Sequence, residues 1–150
     1  MCVNYFAKYI FKATNRNQYP MEILMSQFFG ALYGFLAIVL GAFGAHALKK
    51  RFTAEQLSSF ETGVKYQMYH ALLLLMLSFN LSFNTTLETV VISFFILGTL
   101  LFSFSIYGLC LTGAAGKKWK WLGPVTPLGG LLLAGGWVGL IYLFIKDFVF

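Results

Sequence analysis

Four stretches of the chain are almost free of charge and rich in aliphatic and aromatic side chains, with polar punctuation between them. From Ile23 to Ala47 there is no Asp, Glu, Lys or Arg, a run longer than the roughly 20 residues needed to cross the hydrocarbon core of a bilayer. Lys49, Lys50 and Arg51 close it. A second run starts near Tyr66, is centred on the leucines from Leu72 to Leu77, and stops at Asn80, Ser82, Asn84, Thr85 and Thr86, which makes it the shortest. A third extends from Leu87 to Leu111 before Gly113 and Gly116, and a fourth follows Pro124-Val125-Thr126-Pro127 and ends near Ile145. The pattern predicts an all-α integral membrane four-helix bundle, with spans at about 25–48, 66–83, 87–111 and 127–145.

Local signals refine the boundaries. Thr53 with Gln56 three residues on is a capping-box pattern, and Leu57, Phe60 and Val64 share a face opposite Glu55 and Ser58. These positions predict a short interfacial helix between the first and second spans. Thr85 with Glu88 repeats the capping pattern at the head of the third, and Thr126 as N-cap with Pro127 as the first helical residue suits the start of the fourth. Residues 1–22 read as an N-terminal extension to a membrane domain of residues 23–150. In it Tyr5, Phe6, Tyr9 and Ile10 recur beside Lys8 and Lys12, as in a surface-lying amphipathic helix or a disordered tail. Lys8, Lys12 and Arg16 break any signal-peptide apolar region, so the first run is expected to remain in the mature protein.

Composition excludes an ordinary water-soluble domain: of 150 residues, 59% are hydrophobic and 11% charged, with a mean hydropathy of +0.75. The formal charge of +6 sits in short segments between apolar runs, so it marks topology and lipid phosphate rather than nucleic acid. With four spans, the Asn80 to Glu88 loop and both termini share one side, while Lys49, Lys50, Arg51, Lys65, Lys117, Lys118 and Lys120 fall on the other. By the positive-inside rule, loops 49–65 and 112–126 are expected in the cytoplasm and both termini outside; Lys8, Lys12 and Arg16 argue the opposite way.

Gly30, Gly34, Ala37, Gly41 and Gly44 place five small residues along one face of the first helix, and Gly135 with Gly139 forms a weaker stripe in the last. These faces are expected to pack helices together, within one chain or in a homo-oligomer. His46 and His70 fall near one end of neighbouring spans, where they could meet, and Tyr66, Gln67 and His70 are read as sharing a face. Proton handling or ligand binding competes with interhelical hydrogen bonding as their role. Ser103 lies a turn from Tyr107, and Thr99 extends that polar line. Cys2 and Cys110 make no disulfide framework, and His46, His70 and Cys110 lack metal-site or haem-site spacing. No nucleophile triad, paired intramembrane carboxylates or phosphate loop can be assembled. No enzyme activity, metal or cofactor is therefore expected.

Certain stretches carry a resemblance. Gly41-Ala42-Phe43-Gly44-Ala45-His46, Phe60-Glu61-Thr62-Gly63-Val64-Lys65-Tyr66-Gln67-Met68-Tyr69-His70-Ala71, Leu101-Phe102-Ser103 with Tyr107, Leu111-Thr112-Gly113, and Thr126-Pro127-Leu128-Gly129-Gly130 with Gly136-Trp137 occur in order. Together they resemble the domain of unknown function 423 family, the YgdD-like and YwdK-like small membrane proteins, which is similar to the animal transmembrane protein 256-like group. The likeness covers about residues 28–143. It implies a four-helix protein of the bacterial inner membrane and brings no activity with it. It singles out His46, Gln67, His70, Ser103 and Thr126-Pro127 as motif positions. The resulting expectation is a non-enzymatic accessory or structural subunit or a homo-oligomer, whose partners are membrane lipid and other membrane subunits. The alternative is a small proton, cation or solute transporter or channel using His46 and His70.

Overall fold

The computed structural model describes residues 20–117 and 119–149, and among them four long helices and no strand. They are α1 (Met21–His46), α2 (Ala54–Asn80), α3 (Thr86–Ala114) and α4 (Val125–Val149), with single 3-10 turns at Leu48–Lys50 and Lys120–Leu122. The expected tail helix lies at residues outside this description. Three of the four, α1, α3 and α4, are long and apolar enough to cross a bilayer. The first part of α2 is too polar to join them on composition alone, since it carries Glu55, Glu61 and Lys65 on its exposed side.

The helix ends follow from local chemistry. The Thr53 hydroxyl accepts from the Gln56 amide, and the Gln56 side chain accepts from the Thr53 amide at 3.0 Å, which satisfies two donors that a helix start leaves open. Thr85 and Glu88 build the same device at the head of α3. At the other end of α3, Gly116 takes φ of +71°, which lets its amide reach Gly113 O and the Lys117 amide reach Thr112 O, the Schellman closure. Two boundaries differ from expectation. Residues 54–80 form one unbroken helix rather than a short surface helix followed by a separate span, because nothing between Phe60 and His70 interrupts the backbone ladder. Helix α4 begins at Val125, so Thr126 is already helical and Pro127 sits within the first turn, where its missing N–H costs nothing.

Consecutive helices pack antiparallel, α1 on α2, α2 on α3 and α3 on α4, with no comparable interface between α1 and α4. Glycine sets the two outer seams. A Cβ at Gly30 would lie 2.8 Å from Leu75 Cγ and one at Gly44 3.2 Å from the Phe60 ring, while Gly34 and Gly41 face Ala71 and Val64. The small-residue stripe of α1 is thus used up within the chain. Gly136 meets Phe95, Gly135 meets Phe94 and Gly139 meets Val91, so the α4 stripe is also internal, directed at α3 rather than α1. The main core gathers Tyr33, Leu74, Leu77, Val91, Phe95, Leu133 and Leu140, and a smaller cluster of Phe60, Tyr107 and Cys110 lies toward the 47–53 and 115–124 connections.

Candidate functional site

Alongside the glycine contacts, buried polar side chains tie the helices together, most densely where α2 and α3 meet. Gln67, midway along α2 and fully buried, donates from Nε2 to the Tyr33 carbonyl of α1 at 2.9 Å and accepts at Oε1 from the Tyr107 hydroxyl of α3 at 2.8 Å. One amide therefore ties three helices. The Tyr33 hydroxyl crosses the other way and donates to the Ile96 carbonyl at 2.9 Å, and Ser103 donates to the Gly63 carbonyl at 2.9 Å. Ser26, near the head of α1, donates to the Leu74 carbonyl at 2.8 Å. Each polar group is thereby paid for in an interior where an unmatched one costs kilocalories.

His70 lies one turn from Gln67. Its Nδ1 donates to the Tyr66 carbonyl at 2.7 Å, since that oxygen can only accept. Nε2 is buried without a partner, and so is the Thr99 hydroxyl. The rings of Phe95 and Trp137 pack around the imidazole, with centroids at 5.8 and 6.4 Å. Thr99 follows Phe95 and precedes Ser103 and Tyr107 at four-residue spacing, so it occupies the face of α3 turned toward α2.

The sequence-selected residues therefore divide. Gln67, His70 and Ser103 line the seam, Gln67 with Tyr107 as its partner. Tyr66 lies at the edge of the seam: it is 42% exposed, yet its ring packs on Phe102 of α3 with centroids 4.9 Å apart and stacks on His70 at 6.2 Å, while Gln67, one residue on, turns fully inward. His46 is exposed at the end of α1, at the level of Phe60 through Gly44. Ten residues of α2 separate that level from His70, about 15 Å at 1.5 Å per residue, so the two histidines do not meet. Thr126 caps nothing; its hydroxyl pairs with that of Ser105 at 2.7 Å across the α3–α4 seam. Beside it, at the end of the bundle formed by the start of α2 and the close of α3, a cavity of about 580 Å³ is lined by Glu55, Ser59, Cys110 and Thr126 among others. Among the described residues, no three His, Cys, Asp or Glu side chains gather as a metal site would require. Sequence reading overlooked Tyr33, Ser26 and Ser105. Tyr33 had a signal, three residues after Gly30 and four before Ala37, on the very face judged to pack.

Fold and seam together define the class: an all-helical membrane protein whose interior is closed by glycine contacts and a buried polar tie. The chain belongs to the family described as "Protein of unknown function (DUF423)", whose model matches residues 40–130. A "UPF0382 membrane protein" of Haemophilus influenzae is 36% identical over 75% of this chain and 86% of its own length. One of Schizosaccharomyces pombe is 38% identical over 74% of this chain and 93% of its own length. The "UPF0382 inner membrane protein YgdD" of Escherichia coli is 38% identical over 73% of this chain and 80% of its own length. No solved structure matches.

Proposed function

We propose that this chain is a four-span protein of the inner membrane that acts without catalysis, as an accessory subunit that scaffolds other membrane components. Helix register supports the fourth crossing. Gly41 with Val64, Ser103 with Gly63 and Phe102 with Gly129 align residues 24–41, 63–80, 86–103 and 128–145 as one slab, each segment about 18 residues long and about 27 Å thick. Within that slab α2 carries a single charge outside its ends, Lys65, close enough to the boundary to snorkel. The E. coli relative's name supports the inner membrane. The excess of Lys and Arg at the end that holds residues 47–53 and 115–124 supports placing that end in the cytoplasm and both termini outside.

The observation that carries the scaffolding role is the Gln67 tie: an amide that binds Tyr33 and Tyr107 at once, fully buried among the helices it joins, is placed to hold them rather than to meet cargo. Because both glycine stripes are consumed internally, contact with neighbours falls to exposed apolar side chains such as Phe35, Phe79, Tyr69 and Trp137 rather than to a glycine-mediated homodimer. A photoreactive residue in place of Tyr69 is expected to trap a membrane partner of defined mass in native membranes; capture of lipid alone would sink the scaffolding role. His70 Nε2 and the Thr99 hydroxyl favour a second reading, a small transporter, since unpaired buried polar atoms occur where groups bind or move. Proton or cation flux in liposomes that His70→Ala abolishes would establish it in place of the first.

A further inference from the structure

The 580 Å³ cavity is of the size that small-molecule sites occupy, and its placement says which molecules reach it. Ser59 lies one turn beyond Gly63, where the lipid-facing slab ends, so on the four-span reading the cavity opens at the depth of the phospholipid headgroups. Among the described residues Glu55 is its one charged lining residue, joined by the hydroxyls of Ser59 and Thr126 and the Gln56 amide, while Ile106 and Leu109 form an apolar wall. All these polar groups can accept hydrogen bonds, and a carboxylate can do nothing else. The connections on either side are basic: Lys49, Lys50 and Arg51 closely precede the lining residue Thr53 in the chain, and Lys117 and Lys120 belong to the connection that supplies Gly123. An acceptor-rich lining with one carboxylate, set between two basic connections, complements a zwitterion with its ammonium toward Glu55 and its phosphate toward the lysines.

We infer that this cavity binds the primary ammonium of an ethanolamine-type headgroup, with Glu55 as its counter-charge, Ser59 and Thr126 as further acceptors, and the lysines of the two neighbouring connections on the phosphate. The inference rests on the four-span reading for its depth. A choline group is disfavoured, because it offers no N–H donor and is recognised by aromatic faces, none of which lines this cavity. An anionic phosphoglycerol headgroup would meet Glu55 with like charge nearby and nothing to donate to it but hydroxyls.

The full chain in nanodiscs of phosphatidylethanolamine, phosphatidylcholine and phosphatidylglycerol in equal parts, released into native mass spectrometry, tests this. Phosphatidylethanolamine is expected to remain bound about fivefold over either other lipid, the effect of one partly exposed ion pair. Glu55→Gln is expected to bring the three lipids to parity, and Glu61→Gln, at an exposed α2 position outside the cavity, to leave the preference intact. Equal retention by the native chain, or a preference that survives Glu55→Gln, overturns the proposal. Excess soluble ethanolamine separates the sources: displacement of the lipid identifies the free amine as a sufficient ligand, and persistence identifies the lipid, ammonium recognition standing in both. A failed four-span reading shows differently, as residues 51 and 84 labelled from the same side of the membrane, and takes the proposal with it.

Discussion

Gly129 and Gly130 are neighbours in the first turns of α4 and share every feature of sequence context, yet their surroundings differ sharply. A Cβ on Gly129 would strike the backbone nitrogen of Phe102 and lie 2.8 Å from its Cα, whereas one on Gly130 meets only the Phe102 ring at 3.8 Å. Backbone cannot step aside as a side-chain tip can. Gly129→Ala is therefore expected to destabilise the protein by about 3 kcal/mol. Gly130→Ala should be neutral or stabilising by up to about 1 kcal/mol through helix propensity. Thermal unfolding of both variants in the same mild detergent compares them directly, and equal melting would contradict the close α3–α4 approach. At the seam, Gln67→Leu removes a partner that Tyr107 cannot replace and should cost about 2 kcal/mol. Combined with Tyr107→Phe, the loss should be less than additive by about 1 kcal/mol, and a coupling near zero in that cycle would mean the bond is absent.

For the helices, capping chemistry was legible in the chain because it is local: Thr53 with Gln56 and Thr85 with Glu88 need only three residues to declare themselves. Thr85→Ala is expected to lower stability by about 1 kcal/mol and to speed hydrogen exchange in the first turn of α3 while leaving its last turn unchanged. Exchange that is altered equally along the helix would show that the cap does not act locally. What could not be read was which residue faces what. Tyr66, Gln67 and His70 read as one constellation at helical spacing, and Tyr66 does stack on His70, but Tyr66 stays at the exposed edge of the seam, and only the position of α3 decides that Gln67 is the residue turned fully inward. Thr126 carried an honest capping signal, and Ser105 on another helix claims its hydroxyl instead. The short interfacial helix expected between the first and second spans was inferred from a polar face that the structure places on the exposed side of a longer helix; amphipathicity reports which side is wet, not where a helix stops.

On the scale of the whole molecule, the two halves are glycine-sealed hairpins, α1 with α2 and α3 with α4, joined through a polar seam. Hydropathy alone distinguishes α1, α3 and α4 as spans, for it measures each helix without its neighbours. The polar first turns of α2 hide what the register reveals, that its apolar part from Tyr66 onward stands level with theirs. The meeting of His46 with His70 was likewise a question of level, and about ten residues of intervening helix answer it. Four crossings put residue 51 and residue 84 on opposite sides of the membrane; three crossings, with α2 on the surface, put them on the same side. The decisive measurement is labelling of single cysteines, Arg51→Cys and Asn84→Cys, in a chain whose Cys2 and Cys110 are replaced by Ala, with an impermeant maleimide applied to intact cells and to inverted vesicles. Labelling of residue 84 only in cells and of residue 51 only in inverted vesicles is the predicted result, and labelling of both from one side would contradict the four-span account.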